Sequence, residues 1–387
     1  MTSRSVNANP IATTSIDLNT PKLGFGCMRL PLNNPDDITD IDMDQFKRMV
    51  DIFMDAGCTY FDTAYVYHEG HSETALKEAL VDRYPREAYT IATKCLAWAQ
   101  PNAEAAKACL ATSLERLGVD YVDYYLLHNV GGKRTMKFDE YGMWDFALEQ
   151  KAAGKIKHVG FSIHDGADVL EEILKAHPEM EFVQLQVNYL DWEDPVVEAR
   201  RCVEVAHAHN KPIIIMEPAR GGRLAKLPAR AQAVLDEKAP GSVPADWAYR
   251  FCYDIPGVVT VLSGMSTEEQ TRENVACYTR HTPLVEEERA LIADLVQALQ
   301  AVPLIPCTNC GYCVKDCPQG IKISIALNLL NLEKQVEDHE FVKGLYSWQT
   351  AEGRPSLCIE CGTCEDMCPQ SIDIMAQLSR AVDLYED

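Results

Sequence analysis

Eight times between Lys22 and Gly264, a short apolar run rich in Val, Ile and Tyr gives way to a longer stretch of helical character. The runs are LGFGCM (Leu23–Met28), CTYFDTA (Cys58–Ala64), YTIATK (Tyr89–Lys94), VDYYLLH (Val122–His128), HVGFS (His158–Ser162), FVQLQV (Phe182–Val187), PIIIME (Pro212–Glu217) and VVTVLSG (Val258–Gly264). Near-continuous apolar strands belong to parallel sheets, whose strands need crossover helices between them. The intervening segments supply these. In MDQFKRMVDIFMDAG, Phe46, Met49, Val50, Phe53 and Met54 share a face, and Gly57 stands where a helix closes on a left-handed residue. AEAAKACLATSLERLG closes the same way on Gly118. Eight such units predict an α/β chain folded as a (β/α)8 TIM barrel. The stretch ATTSIDLNTP before the first strand is expected to form a hairpin across the barrel floor.

After Pro303 the pattern changes, which predicts a barrel domain over residues 1–300 and a small, mostly helical domain over 301–387. The second region carries CTNCGYCVKDCPQG (Cys307–Gly320) and CIECGTCEDMCPQS (Cys358–Ser371), both with the spacing C-x2-C-x2-C-x3-C-P. Eight cysteines could in principle build two tetrahedral zinc sites, but this rhythm is not typical of zinc. It resembles the ferredoxin-type dicluster domains, in which the fourth Cys of each motif ligates the other cluster. That implies one [4Fe–4S] cluster on Cys307, Cys310, Cys313 and Cys368, and a second on Cys358, Cys361, Cys364 and Cys317. Gly311 and Gly362 are expected to relieve crowding near the sulfides. Between the motifs, ISIALNLLNLEKQVE reads as a helix with Ile325, Leu329, Leu332 and Val336 along one side.

A formal charge of −22 and a pI near 4.9 speak against a nucleic-acid footprint. The first residues contain no apolar signal-peptide core, and no apolar run approaches the about 18 residues of a membrane span. A cytoplasmic protein is expected, with its remaining seven cysteines (Cys27, Cys58, Cys95, Cys109, Cys202, Cys252, Cys277) serving as small buried apolar side chains.

Chemistry in such a barrel sits at the C-terminal ends of its strands. Asp62, Lys94 and His128 each close an apolar run, and Tyr67 follows Asp62 on the next loop. A charge at such a place is expensive unless paired. Each residue alone has an ordinary reading: a core histidine, a packing tyrosine, a structural ion pair. Together they suit carbonyl reduction. Tyr67 would protonate the alkoxide left by hydride addition, Lys94 would lower the phenol's pKa, Asp62 would hold Lys94, and neutral His128 would orient the carbonyl.

FDTAYVYHEGHSE, IATK, RLGVDYVDYYLLH, GKIKHVGFS and RENV, in that order, resemble the aldo-keto reductases over roughly residues 20 to 295. The resemblance extends to the bacterial members fused to a ferredoxin-type domain. It implies a catalytic tetrad of Asp62, Tyr67, Lys94 and His128, with NADP(H) or NAD(H) as cofactor. Ser162 and Gln184 would hold the nicotinamide carboxamide, Ser263 to Ser266 would lie near the phosphates, Glu273 and Asn274 near the adenine, and Arg220, Gly221 and Gly222 over the pyrophosphate. The chain departs from the family pattern at three places. Ile163 replaces the Asn that often follows the serine, Met216 replaces the aromatic that stacks on nicotinamide, and Gly264 and Gln270 stand where a basic pair often grips a 2′-phosphate. Trp98, Asn129, His164 and Trp192 are candidates for the pocket wall.

A small-molecule carbonyl, aldehyde or ketone, is the expected substrate. A ferredoxin or other electron carrier is a second partner if the clusters take part in turnover. A third reading is a nicotinamide-binding redox sensor or subunit, which the intact tetrad argues against.

Overall fold

The computed structural model describes residues 11, 14–35, 37–336 and 339–386. The eight apolar runs form eight parallel strands: β1 (Leu23–Gly26), β2 (Tyr60–Asp62), β3 (Thr90–Cys95), β4 (Val122–Val130), β5 (Ile156–Ile163), β6 (Phe182–Gln186), β7 (Ile213–Met216) and β8 (Val258–Gly264). They pair in sequence order and β8 returns to β1, with Leu23 opposite Val261, so the sheet closes into a barrel. Closure leaves no strand edge unpaired. Close approach between strands is built in at Gly160, where an added Cβ would lie 2.5 Å from the Phe182 carbonyl oxygen.

Alternate strand residues point inward. Tyr60, Ala92, Tyr124, Leu126, Phe182, Ile214, Val259 and Leu262 make one buried cluster, which Ile16 joins. Burying a side chain of that kind stabilises by roughly 1.5–3 kcal/mol. The floor segment therefore plugs the barrel, but by a different device from the expected hairpin. Its described residues, from Thr14 onward, form bends and a turn; residues 12 and 13 lie outside the described residues. The other strand face packs on the helices. Helix Met43–Asp55 is capped by Asp42, whose side chain accepts from the Gln45 N–H, and buries Phe46, Met49, Val50 and Phe53. Helix Ala103–Leu117 ends on Gly118 at φ +67°, a left-handed position that favours glycine. No helix among the described residues is long and apolar enough to cross a membrane.

The chain divides into two compact units. One comprises the chain up to Ala219 together with Ala245–Val285; the other comprises Arg220–Pro244 and Glu286–Asp387. The segment after β7 thus groups with the cysteine-rich residues. Within that second unit Arg223 donates to the Ile305 carbonyl at 3.1 Å. Asn331 accepts from the Ile305 N–H at 2.7 Å and donates to its carbonyl at 2.9 Å. These bonds fix the approach to the first cysteine motif. The insert is helical over Ile323–Val336, as expected, but the buried face differs from the expected stripe. Ile323, Ala326, Leu327 and Leu330 join Leu329 in the core, while Ile325 and Leu332 are only partly buried. The side chain of Val336 lies outside the described residues. The helix packs on two elements, Val342 and Tyr346 from one side and Ile374 and Leu378 from the other, so its apolar surface is broader than one stripe.

Candidate functional site

At the barrel mouth the ends of β2, β3 and β4 bring three ionisable side chains together. Lys94 Nζ lies 2.5 Å from Asp62 Oδ1 and donates to the Thr63 carbonyl at 2.8 Å. Both side chains are almost wholly buried, at 1% and 3% exposure. Removing one partner would strand a buried charge, which costs about 3–5 kcal/mol. The Tyr67 hydroxyl is 3.3 Å from the same Nζ. The ammonium also sits 4.8 Å from the centre of the Tyr67 ring. His128 meets that ring edge-on, with centroids 5.8 Å apart.

Burial, helped by the Lys94 charge and His164, holds the His128 imidazole well below its ordinary pKa, so it is neutral. The expectation for Tyr67 needs correcting. Its phenol is pushed well above the usual value, by burial first and then by the Asp62 carboxylate. The physical reason is that burial penalises the charged phenolate and the Asp62 carboxylate repels it. Burial also drives the Asp62 carboxyl upward against Lys94. Tyr67 therefore holds its proton firmly.

Further groups, to which the sequence assigned no role, shape this mouth. Glu73 is fully buried; it accepts from Thr93 Oγ1 at 2.7 Å and from Arg116 at 3.3 Å. Arg116 donates onward to the Tyr65 carbonyl at 2.9 Å, and a Cβ added to Gly70 would come within 2.9 Å of its guanidinium. The pair thus braces the loop that carries Tyr67. His68 accepts from the Leu30 N–H at Nε2, which leaves its Nδ1 proton for the Ile38 carbonyl at 2.6 Å. Arg29 stands 3.8 Å from a Cβ placed on Gly264, and its charge draws the Tyr67 phenol down against the other influences. Glu73 closes the stretch FDTAYVYHEGHSE, and that place in the motif is the signal in the sequence that marked it.

The residues assigned to the cofactor fall into separate groups. Ser162 and Gln184 are neighbours across β5 and β6, both buried, and Gln184 Nε2 approaches Asp62 Oδ2 at 3.4 Å. Next to the serine, Ile163 is buried and apolar, so the amide that the family often carries there has no counterpart on β5. Ser263 and Asn274 are joined in a buried network, with Asn274 Nδ2 donating to Ser263 Oγ at 2.9 Å and Tyr249 OH 2.6 Å from the same oxygen. Ser266 N–H donates to Gln270 Oε1 at 2.8 Å, at the start of helix Glu268–Thr279. Gly264, Gln270 and Glu273 are exposed, and Met216 is half-buried at the end of β7. Arg220 and Gly221 fall in the second unit, where an added Cβ on Gly221 would lie 2.7 Å from the Thr308 carbonyl.

Of the pocket-wall candidates, Trp98 donates to the His128 carbonyl at 3.3 Å and His164 pairs with Gln186 at 3.3 Å. Trp192 instead packs edge-on against Phe251. Asn129 is 1% exposed, and neither polar atom of its amide has a hydrogen-bond partner. Leaving a buried polar group unpaired costs about 1–3 kcal/mol.

In the second unit the eight motif cysteines are free of disulfides. Cys307, Cys310, Cys313 and Cys368 line one small cavity, and Cys358, Cys361, Cys364 and Cys317 line another. Each cavity thus takes three thiols from one motif and the fourth from the other. Among the described residues no three His, Cys, Asp or Glu side chains are grouped to hold a single metal ion. Two rings of four soft sulfur donors suit cubane clusters. The two loops share a backbone pattern: Asn309 and Gly311 at φ +57° and +81°, Glu360 and Gly362 at +55° and +77°. Nothing lies within 4 Å of a Cβ added to either glycine, so the positive φ is what calls for glycine there.

The comparisons with known proteins match two successive regions of the chain, and the first of them includes the segment Arg220–Pro244 that groups with the cysteine-rich unit. The model of the aldo/keto reductase family matches residues 22–297, and that of the 4Fe-4S dicluster domain matches 306–372. The chain belongs to the aldo/keto reductase family, an oxidoreductase family, and carries a 4Fe-4S dicluster domain after its barrel. Aldo-keto reductase str7 of Strobilurus tenacellus is 30% identical over 213 residues, 52% of this chain and 59% of that protein. The uncharacterized oxidoreductase YqkF of Bacillus subtilis is 24% identical over 306 residues, 71% of this chain and 92% of that one. Among solved structures, the holo form of aldo-keto reductase AKR11C1 from Bacillus halodurans aligns with a TM-score of 0.58 at 26% identity, covering 72% of this chain and 92% of that chain. An aldo-keto reductase from Klebsiella pneumoniae in complex with NADPH shares the fold, with a TM-score of 0.57 at 20% identity over 72% of this chain and 91% of that chain.

Proposed function

We propose that the barrel reduces a small aldehyde or ketone to an alcohol using NAD(P)H, with Tyr67 as proton donor. The observation that carries this reading is the cluster itself: a protonated phenol 3.3 Å from the Lys94 ammonium, which is held by Asp62, beside a neutral imidazole. The nicotinamide, when bound, supplies the hydride. His128 donates a hydrogen bond to the carbonyl oxygen and orients it. As charge develops on that oxygen, Tyr67 delivers its proton, because an alkoxide is a much stronger base than a phenolate. Lys94 stabilises the phenolate left behind, and Asp62 keeps Lys94 in place. A raised phenol pKa in the free protein fits a donor that must stay protonated until hydride arrives.

Ser162 and Gln184 are suited to a carboxamide, since they are buried side by side next to Asp62. The start of helix Glu268–Thr279, with Arg29 nearby, is suited to phosphate. That cation lies where the sequence lacks the usual basic pair, and it favours NADPH over NADH.

A second reading has support from one observation. Ile359, in the second cysteine loop, is 60% exposed, while Thr308 at the matching place in the first is 3% exposed. The second loop is open to a ferredoxin or other one-electron carrier. Anaerobic titration with both nucleotides, with iron and sulfide counted on the same sample, followed by aldehyde-dependent oxidation of the bound nucleotide, tests the first reading. Tight binding and stoichiometric oxidation are expected; absence of nucleotide binding would overturn it.

A further inference from the structure

The pairing of β4 with β5 slips at its end. Leu127 lies opposite Phe161 and Val130 opposite Ile163, so His128 and Asn129 together face Ser162. This is a bulge, a device that re-aims side chains beside active sites. Asn129 absorbs it at φ +57°, a conformation that asparagine tolerates better than most residues. Its N–H donates to Ser162 Oγ at 2.8 Å. Among the described residues it is the one carboxamide with both polar atoms buried and unpartnered.

We infer that Asn129 is the positioning residue that pairs with the nicotinamide carboxamide, supplying from β4 the contact that Ile163 cannot make from β5. The inference rests on the proposed reductase reading. An amide offers one donor and one acceptor, which complement the acceptor and donor of a second amide. Asn129 also sets the role of Ser162. With its Oγ accepting from the Asn129 N–H, the serine hydroxyl proton is directed to the ligand. Around it, Lys94 and the Gln184 amide nitrogen are turned to Asp62, and His128 Nδ1, on the imidazole that the proposed reaction assigns to the carbonyl, is a further buried polar atom without a partner.

The test compares the parent with Asn129→Gly, which tolerates the left-handed backbone, and Asn129→Asp, which keeps the shape and loses the donor. Dissociation constants are measured for NADPH and for its 3-acetylpyridine analogue, in which the carboxamide nitrogen is replaced by a methyl group. Melting temperatures are recorded on the same samples. The expected result is a roughly five- to tenfold weaker binding of NADPH in Asn129→Gly, the size of one hydrogen bond. The parent should prefer NADPH over the analogue, and the variant should lose that preference. Equal weakening of both nucleotides with a lowered melting temperature would mean a structural role and overturn the inference. So would an unchanged dissociation constant with a raised KM for the carbonyl, which would place Asn129 on the substrate. If the parent binds no nicotinamide nucleotide, the reductase reading itself fails, a distinguishable outcome.

Discussion

The barrel mouth and the cysteine loops are both built to hold charge, but by opposite means. At the mouth, Lys94 and Asp62 are nearly sealed from water and neutralise each other through a 2.5 Å contact. The protein provides both partners. In the cysteine unit, eight thiols ring two cavities, several of them partly exposed, and the matching charge must come from iron. The difference teaches that the mouth should survive, folded and competent, without its cofactor, while the loops should not outlast their clusters.

The largest effect that would sharpen this contrast is at Tyr67. Tyr67→Phe should lower carbonyl reduction by roughly 10²–10⁴-fold, the usual range for a general acid, with nucleotide affinity unchanged; steady-state kinetics and a binding titration check both. Next is Lys94→Met, which leaves Asp62 buried without a partner. A loss of about 3–5 kcal/mol in denaturant unfolding is expected. Replacing Arg116 by Met removes the brace between Glu73 and the Tyr65 carbonyl, and should cost about 1–3 kcal/mol together with a fall in kcat.

A pH series gives a smaller effect. His128 and His164 are both held below their ordinary value by burial, His164 at about 4. A depressed histidine pKa contributes stability that is present above the unfolded value near 6.5 and lost as pH falls from there toward 4. The barrel should therefore weaken on mild acidification, and His164→Gln should flatten that slope. The smallest expected effect is on turnover in Cys310→Ser with Cys361→Ser. NAD(P)H-driven reduction should stay near the parent value while the iron content falls; lost turnover in folded protein would break the separation drawn here.

Much of this architecture could be read from the residues. The strands are legible because both faces of a closed parallel sheet are largely buried, so each run is mostly apolar. The convergence of Asp62, Lys94 and His128 followed from their places at strand ends. The grouping of the thiols, three from one motif and one from the other, followed from the resemblance to ferredoxin-type domains. The bulge at His128–Asn129 was not legible, because a one-residue slip in pairing leaves the apolar pattern of β4 unchanged. Glu73 and Arg116 act through tertiary contacts between segments far apart in sequence. The direction of the Tyr67 shift is not legible, because it depends on burial, which the spacing of charged residues does not reveal. The buried face of helix Ile323–Val336 is broader than its sequence stripe because two partners cover it rather than one.

The most direct measurement is an anaerobic single turnover of the cluster-loaded protein with NADPH and an aldehyde, followed at once by nicotinamide absorbance and by the electron paramagnetic resonance of the clusters. One NADPH consumed per alcohol formed, with the cluster signals unchanged, is the result predicted for a barrel that transfers its hydride unaided. Cluster oxidation or reduction in step with alcohol formation would contradict it.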